Sequence, residues 1–307
     1  MPKVSVIIPT HNRVSLLERA IQSILSQTFY DFELIIINDA STDSTQEMIK
    51  EIDHPRIHLI NHSKNRGASA ARNAGITASK GKYIAFLDDD DEWLPEKLAK
   101  QVQIFENLSD KTGLIYSGFH FISQRTGAIL KTVSPQQKGD LYKTLLRRNL
   151  ISTVTSLIKK DCFRIAGTFD QSLPSCQDWD LWIRISKHFH LDFVPDPLAK
   201  VYLHGEQISV NIQSRIQARD KLIQKYHSEL IKYPTIFSFL QKRIAILHCL
   251  NSNHKKALEF FLKSLKHEPL QRDVFKHIFL TLFFPKYQKN KIMSEHIITL
   301  DGISLYY

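Results

Sequence analysis

Four short runs rich in β-branched residues, 4–9, 32–37, 56–60 and 83–87, are each followed by a polar loop and three of them by a segment of helical period. Leu16, Leu17, Ala20, Ile21, Ile24 and Leu25 recur at helical spacing after the first run. Ser44-Thr45-Gln46-Glu47, after the second, has the form of a capping box. Residues 68–79, after the third, read as a helix ended by Lys80-Gly81. Runs of this composition read as strands, and strands alternating with helices predict an α/β fold with a Rossmann-like, mostly parallel central sheet flanked by helices. In such a sheet ligands gather beyond the carboxyl ends of the strands, so the loops after Pro9, Asn38 and Leu87 are expected to converge on one crevice.

After Leu108 the pattern changes. Residues 113–121 and 128–133 read as a hairpin, 140–148 as a helix, and 152–158 and 201–204 as strands on either side of a helix over 178–188. The chain is therefore expected to divide at about 209, with a first half, 1–108, built of βα units and a second, 109–209, of α+β character. From Ile212 onward the pattern is helical throughout, so 210–307 is expected to be an all-helical extension. Within it, 244–269 resembles one tetratricopeptide-type helix pair, with Ala257, Leu258, Leu265 and Pro269 in suitable places. One such repeat cannot bury itself. It either packs on the rest of the chain or meets a partner or a membrane.

Composition excludes some classes. At 307 residues and 43% hydrophobic content the chain is long enough and apolar enough to fold, and the formal charge of +10 is unevenly spread. Residues 210–307 hold 16 Lys and Arg against 7 Asp and Glu, leaving 25 against 24 before them. A basic face of this kind attracts an anionic membrane or a phosphorylated substrate, or is simply a solvated surface. No nucleic-acid partner is expected. Within the C-terminal portion, Phe279, Phe283 and Phe284 alternate with Lys276, Lys286 and Lys289, a mixture suited to a bilayer interface or to a core. The opening residues read at once as a strand, without a charged leader or cleavage site, and no apolar stretch approaches the roughly 20 residues that span a bilayer. Three scattered cysteines, Cys162, Cys176 and Cys249, fit neither a zinc site nor a disulfide framework. A cytoplasmic protein, with peripheral attachment to the inner face of a membrane as a further reading, is the expectation.

The chemistry concentrates in a few places. Asp88-Asp89-Asp90-Asp91 directly follows a strand, and four adjacent carboxylates repel one another unless a cation compensates them. Oxygen-only ligands favour Mn²⁺ or Mg²⁺; the competing reading is an acidic turn capping a helix that starts at Pro95. Asp39 ends the second strand, where it is either a turn former or an acceptor for a base or ribose hydroxyl. Arg72 and Asn73 lie on a small-residue helix that can approach a phosphate, with Arg72 either neutralising a diphosphate or pairing with the acids. Gln177-Asp178-Trp179-Asp180-Leu181-Trp182-Ile183-Arg184 opens a helix, its aspartates serving either the helix dipole or a site beside Trp182 and Arg184. His204 is a further candidate metal or phosphate ligand.

In that order and spacing, VSVIIPTHNR, FELIIINDASTDST, NRGASAARNAGI, GKYIAFLDDDDEWLPEKL and QDWDLWIRI resemble the family 2 glycosyltransferases of the GT-A fold, over roughly residues 3–209. The chain departs at His11, where the family commonly shows tyrosine, and at Gln177, where an acid often precedes the base. The resemblance implies that Pro9, Thr10, His11, Asn12 and Arg13 line the nucleotide pocket with Asp39, Arg72, Asp88 and Asp89. It implies that Asp90 holds a metal and that Asp178 is the catalytic base; His204 is read beside them as a further metal ligand, and Trp179 and Trp182 as lying on the acceptor side. The implied reaction is inverting transfer of a sugar from a nucleotide-diphosphate sugar, a UDP-sugar being favoured over dTDP- and GDP-sugars, to a hydroxyl of a glycan or lipid-linked acceptor in polysaccharide biosynthesis. Residues 1–108 would then form the nucleotide-binding half and 109–209 the acceptor side. A nucleotidyltransferase would bring a glycine-rich phosphate loop after the first strand, which 9–13 lacks. A non-catalytic nucleotide- or partner-binding protein on a degenerate transferase fold is the other alternative, separated by turnover of a nucleotide-sugar.

Overall fold

The first four strands pair as their composition dictates. In the computed structural model, which describes residues 1–203, 211–300 and 303–306, β1 (Val4–Thr10), α1 (Val14–Leu25), β2 (Phe32–Asn38), α2 (Thr45–Glu51), β3 (Ile57–Asn61), α3 (Ala68–Ala78) and β4 (Tyr83–Phe86) follow in order. All pairings among these strands are parallel, with Val4 opposite both Phe32 and Tyr83 and Leu34 opposite Ile57. Every residue of β1 and β2 is buried, as strands covered on both faces must be. Pro9 has no N–H to give a ladder, and β4 pairs with β1 only as far as Ile7, so the proline sits where that neighbour has already ended. Gly75 lets α3 lie directly on β1: a Cβ there would stand 2.5 Å from Ile7 Cγ2.

The beginning of α2 differs from the capping-box reading. Ser44 makes no side-chain capping bond; Asp43 accepts from Thr45 N at 3.1 Å through Oδ1 and from Val14 N at 3.3 Å through Oδ2. One carboxylate thus serves the first turns of both α1 and α2, because the two loops meet in space.

The sheet then changes character. β5 (Glu92–Trp93), α4 (Lys97–Asn107), β6 (Thr112–Ser123), β7 (Ile129–Val133), α5 (Tyr142–Arg147), β8 (Leu157–Lys159), α6 (Lys160–Ala166), α7 (Gln177–Ser186) and β9 (His190–Leu203) complete this part of the chain. The spatial order is β3-β2-β1-β4-β8-β6-β9-β5, with β7 on β6. β8 runs antiparallel to both β4 and β6, and β5 antiparallel to β9. The sheet is therefore parallel on one side of the β4–β8 pairing and antiparallel on the other. The strand expected over 152–158 is shorter: Thr155 Oγ1 donates to Ser152 O at 2.7 Å and Ser156 Oγ to Thr153 O at 2.8 Å, so hydroxyls turn this stretch into a 3₁₀ turn before β8. Of the strand expected over 201–204, residues 201–203 are the end of the much longer β9, and 204 lies outside the described residues. The helix expected from Pro95 begins instead at Lys97.

The chain divides into two compact units, one of Met1–Leu145, Asn149–Gln171 and Gln177–Tyr202, the other of Leu146–Arg148, Ser172–Cys176 and Leu203–Tyr307. In the second unit lie α8 (Ile212–Lys225), α9 (His227–Leu230), α10 (Pro234–Leu250), α11 (His254–His267), α12 (Arg272–Phe283) and α13 (Pro285–His296). α10 and α11 form the helix pair anticipated over 244–269, although the first helix starts ten residues earlier, with Pro234 in its first turn. Ser238 and Ser264 meet across it at 2.8 Å and Gln271 Nε2 donates to Ser238 Oγ at 2.6 Å, satisfying small polar groups that let the helices approach closely. The helical succession ends in a hairpin, β10 (Ile297–Leu300) with β11 (Ile303–Tyr306). Among the described residues no helix is long and apolar enough to cross a membrane.

Candidate active site

Three loops leave the carboxyl ends of β1, β2 and β4, and their side chains interlock. Asn12, at φ 54°, accepts from Thr42 N at 2.7 Å through Oδ1, while its own N–H donates to Ser41 Oγ at 3.0 Å. Asparagine tolerates this left-handed backbone better than most residues, and here it ties the β1 loop to the β2 loop. Asp39 N donates to Thr10 O. The Asp39 carboxylate then receives Arg66 N at 3.0 Å, Gly67 N at 2.7 Å and His62 Nδ1 at 2.7 Å. Asp39 thereby pins the loop that leads into α3. His62 was not legible as its partner, being 23 residues away with no motif around it.

The acids after β4 form the electrostatic centre. Thr10 Oγ1 donates to Asp89 Oδ2 at 2.8 Å, and Arg13 Nη1 reaches Asp89 Oδ1 at 3.1 Å and Asp90 Oδ2 at 2.7 Å. Arg72 Nη2 pairs with Asp88 Oδ1 at 2.5 Å. Asp91 is buried and accepts from Tyr202 N at 2.9 Å, so it does not cap α4. Around it, Arg19 lies 3.7 Å from the Tyr202 ring centroid and pairs with Glu92 at 3.2 Å. Arg19 and Tyr202 went unremarked in the sequence because neither stands in a motif. Burial first, and then the charge of Asp90, push the Asp89 carboxyl up to about 6 against the pull of Arg13 and Thr10. Burial and the charges of Asp90 and Asp88 raise Asp91 well above the usual carboxylate range.

Whether this cluster fits a cation can be judged from its donors. One carboxylate oxygen from each of Asp88, Asp90 and Asp91 lies within 4.8 Å of the others. After burial, repulsion from Asp90 and Asp88 raises Asp89 and Asp91, with Arg13 and Arg19 pulling the other way, and a cation among these carboxylates would relieve that repulsion. An all-oxygen set of clustered carboxylates suits a hard divalent ion, so the residues fit one. His204 lies outside the described residues. Three buried polar atoms on the β1 loop and α3, His11 Nδ1, Ser69 Oγ and Arg72 Nε, have no hydrogen-bond partner among the described residues, the kind of group a polar ligand satisfies.

Asp178 opens α7. Asn149 Nδ2 donates to Asp178 Oδ2 at 3.0 Å while Asn149 Oδ1 accepts from Ile151 N at 3.1 Å; the backbone donor fixes the orientation of the amide, so the NH₂ faces the carboxylate. Burial pushes Asp178 above the usual carboxylate range, opposed by the Trp179 N–H, Asn149 and the charge of Arg72 and assisted by that of Asp88. Asp178 and the acidic cluster thus share one electrostatic field. The α3 end of that link is braced by Asn73, whose amide donates to Phe169 O at 2.8 Å and accepts from Phe169 N at 2.9 Å.

Two expectations need correction. Trp179 and Trp182 are 5% and 0% exposed, and their indole N–H groups donate to Leu145 O and Ile151 O. They are packing groups that hold the segment carrying Asn149 against α7, with no ring face free for an acceptor sugar. Arg184 likewise turns inward, its Nε donating to Asp180 Oδ2 at 2.9 Å and its Nη2 to Thr168 O at 2.7 Å.

With this geometry in view, a family model described as "Glycosyl transferase family 2" matches residues 5–160. An uncharacterised glycosyltransferase of Rickettsia felis is 30% identical over 269 residues, covering 84% of this chain and 44% of its own length; the chain thus spans less than half of that relative. TuaG of Bacillus subtilis, named as a teichuronic acid biosynthesis glycosyltransferase, is 30% identical over 216 residues, 68% of this chain and 82% of its own. Among solved structures, S. aureus TarS in complex with UDP-GlcNAc superposes with a TM-score of 0.63 at 13% identity, covering 99% of this chain and 96% of its own. The mannosyltransferase PcManGT of Pyrobaculum calidifontis, in complex with GDP-Man and Mn²⁺, gives 0.61 at 16% identity, with 95% and 86% covered.

Proposed function

The chain belongs to glycosyl transferase family 2, and on that premise we propose that it transfers a sugar, with inversion, from a nucleotide-diphosphate sugar to a hydroxyl of a surface glycan or lipid-linked acceptor. The observation that carries this reading is the pairing of a clustered set of carboxylate oxygens on Asp88, Asp90 and Asp91 with a separate carboxylate, Asp178, on another element and under the charge of Asp88 and Arg72. Transfer needs negative charge absorbed where the diphosphate departs and a proton removed where the acceptor attacks, from opposite sides of the anomeric carbon.

Asp88, Asp90 and Asp91 would hold Mn²⁺ or Mg²⁺, which when bound supplies positive charge to the departing diphosphate. Arg72 and Arg13 flank that position and restrain the carboxylates. His11, with an unsatisfied buried Nδ1, lies where the β1 loop would meet a base, and Asp39 acts by holding the α3 loop in place rather than by a free oxygen. Asp178 takes the acceptor proton as the new bond forms. A UDP-sugar is the favoured donor, in line with the ligand of the S. aureus neighbour, and a polysaccharide product is in line with the name of the B. subtilis relative. Work in the cytoplasm, with peripheral attachment to the inner face of a membrane, belongs to the same reading.

Calorimetric titration of UDP, GDP and dTDP with and without Mn²⁺, on the wild type and on Asp90→Ala, tests it. One nucleotide is expected to bind in a metal-dependent manner, and Asp90→Ala is expected to lose that dependence. Well-folded protein that binds none of the three would remove the donor site and the proposal with it.

A further inference from the structure

Helix α12 presents its apolar side to water. Val274 and Thr281 are buried, whereas Phe275, Phe279, Leu282, Phe283, Phe284 and Tyr287 are each 53–64% exposed. At about 100° per residue, Phe275, Phe279, Leu282 and Phe283 share one stripe, well apart from the buried pair. The rings gather with one another: Phe279 lies 5.0 Å from Phe283 and 6.0 Å from Phe284, centroid to centroid. The sequence left open whether these phenylalanines are core, and their exposure answers that they are not. Scattered apolar side chains on a surface are ordinary; six large ones within thirteen residues form a patch that marks a docking face.

Charge identifies what docks. Arg272, at the start of α12, and Lys286, just past its end, are both exposed and bracket the aromatic stripe. Arg272 falls between Phe279 and Phe283 around the helix, so cation and rings point the same way. Residues 210–307 carry 16 basic against 7 acidic side chains. A second copy would bring like charge against like, whereas an anionic bilayer supplies both the apolar depth for the rings and the negative headgroups for the cations.

We propose that the exposed face of α12, with Phe284 and Tyr287 beyond it, docks on a bilayer surface of anionic headgroups, its aromatic side chains entering the interface and Arg272 and Lys286 meeting phosphate. The helix has twelve residues and therefore lies in the interface plane rather than spanning it. The inference gives the peripheral attachment read above its surface, and it does not depend on the transfer chemistry.

Co-flotation of the full chain with phosphatidylcholine vesicles, with and without phosphatidylglycerol, tests this, with nucleotide titration run on the same samples. The wild type is expected to float with the anionic vesicles alone and to be released by salt. Phe275→Ser/Phe279→Ser/Phe283→Ser and, separately, Arg272→Glu/Lys286→Glu are each expected to weaken vesicle binding by about tenfold or more. All five positions are exposed, so both variants are expected to keep their melting temperature and whatever nucleotide affinity the wild type has. Three results would each overturn the proposal: a wild type that stays at the bottom with anionic vesicles, a serine variant that floats as the wild type does, or self-association that the serine variant abolishes without vesicle binding by either protein. Loss of nucleotide binding alone would count against the transferase reading and leave the docking face standing.

Discussion

A carboxylate that is to take a proton must be held in place and kept deprotonated at working pH, and Asp178 meets the two demands through different partners. Asn149 holds one oxygen and favours the charged form; burial works against it and raises the pKa. With Asp178 as the proposed base, activity requires the deprotonated acid, so it is expected to be present above the raised pKa and lost as pH falls through it, with the acid limb of kcat/KM shifted upward from that of an ordinary carboxylate. Asn149→Ala removes a hydrogen bond to the charged form, and its acid limb is expected to move to higher pH with nucleotide affinity unchanged, read from rate profiles and calorimetry. Asp178→Asn is expected to lower kcat by roughly 10²- to 10⁴-fold while the donor nucleotide still binds. Asp178 and the four acids stand out in the sequence because their residue types are unusual for their local setting. Asn149, Arg19 and Tyr202 do not, since the distances that matter are across the fold; Arg13 meets Asp89 from 76 residues away. The tryptophans misled for a related reason: an aromatic beside a carboxylate reads the same whether it faces a ligand or the core.

Elements position these groups by close contact at few points. Gly75 is one, because α3, which carries Arg72, rests on Ile7 there. Gly75→Ala forces a methyl into that contact and is expected to cost about 1–3 kcal/mol, seen as a lower denaturant midpoint at unchanged slope. Trp182 is another, and Trp182→Ala is expected to cost about 3–5 kcal/mol and to loosen the segment that carries Asn149. The βα units were readable because a near-continuous apolar run gives way to the 3.6-residue period within each. The end of α2 nearest the site was misread because its capping carboxylate, Asp43, is chosen by a neighbouring loop rather than by the local tetrapeptide. Short β8 was overestimated since threonine and valine favour strands by propensity, yet here the hydroxyls of Thr155 and Ser156 bond back to nearby backbone.

At the scale of the whole molecule the acidic cluster works against the stability of the unit that contains it. Asp89 is raised from 3.8 to about 6 on folding. With the folded pKa above the unfolded one, its share of stability is complete below about pH 4 and is lost as pH rises through about 6, a cost of about 3 kcal/mol. Mn²⁺ or Mg²⁺, bound as proposed by the folded, deprotonated cluster alone, would offset that cost. The melting temperature is therefore expected to rise with added cation at pH 7.5, to rise much less at pH 5, and to be insensitive to it in Asp90→Ala. The cluster leaves the sheet at β4, the strand that pairs parallel with β1 on one side and antiparallel with β8 on the other. On the reading of 1–108 as the nucleotide-binding half and 109–209 as the acceptor side, this seam is where the donor-facing ladder meets the acceptor-facing one. Chimeras cut at this joint would exchange recipients without exchanging currencies.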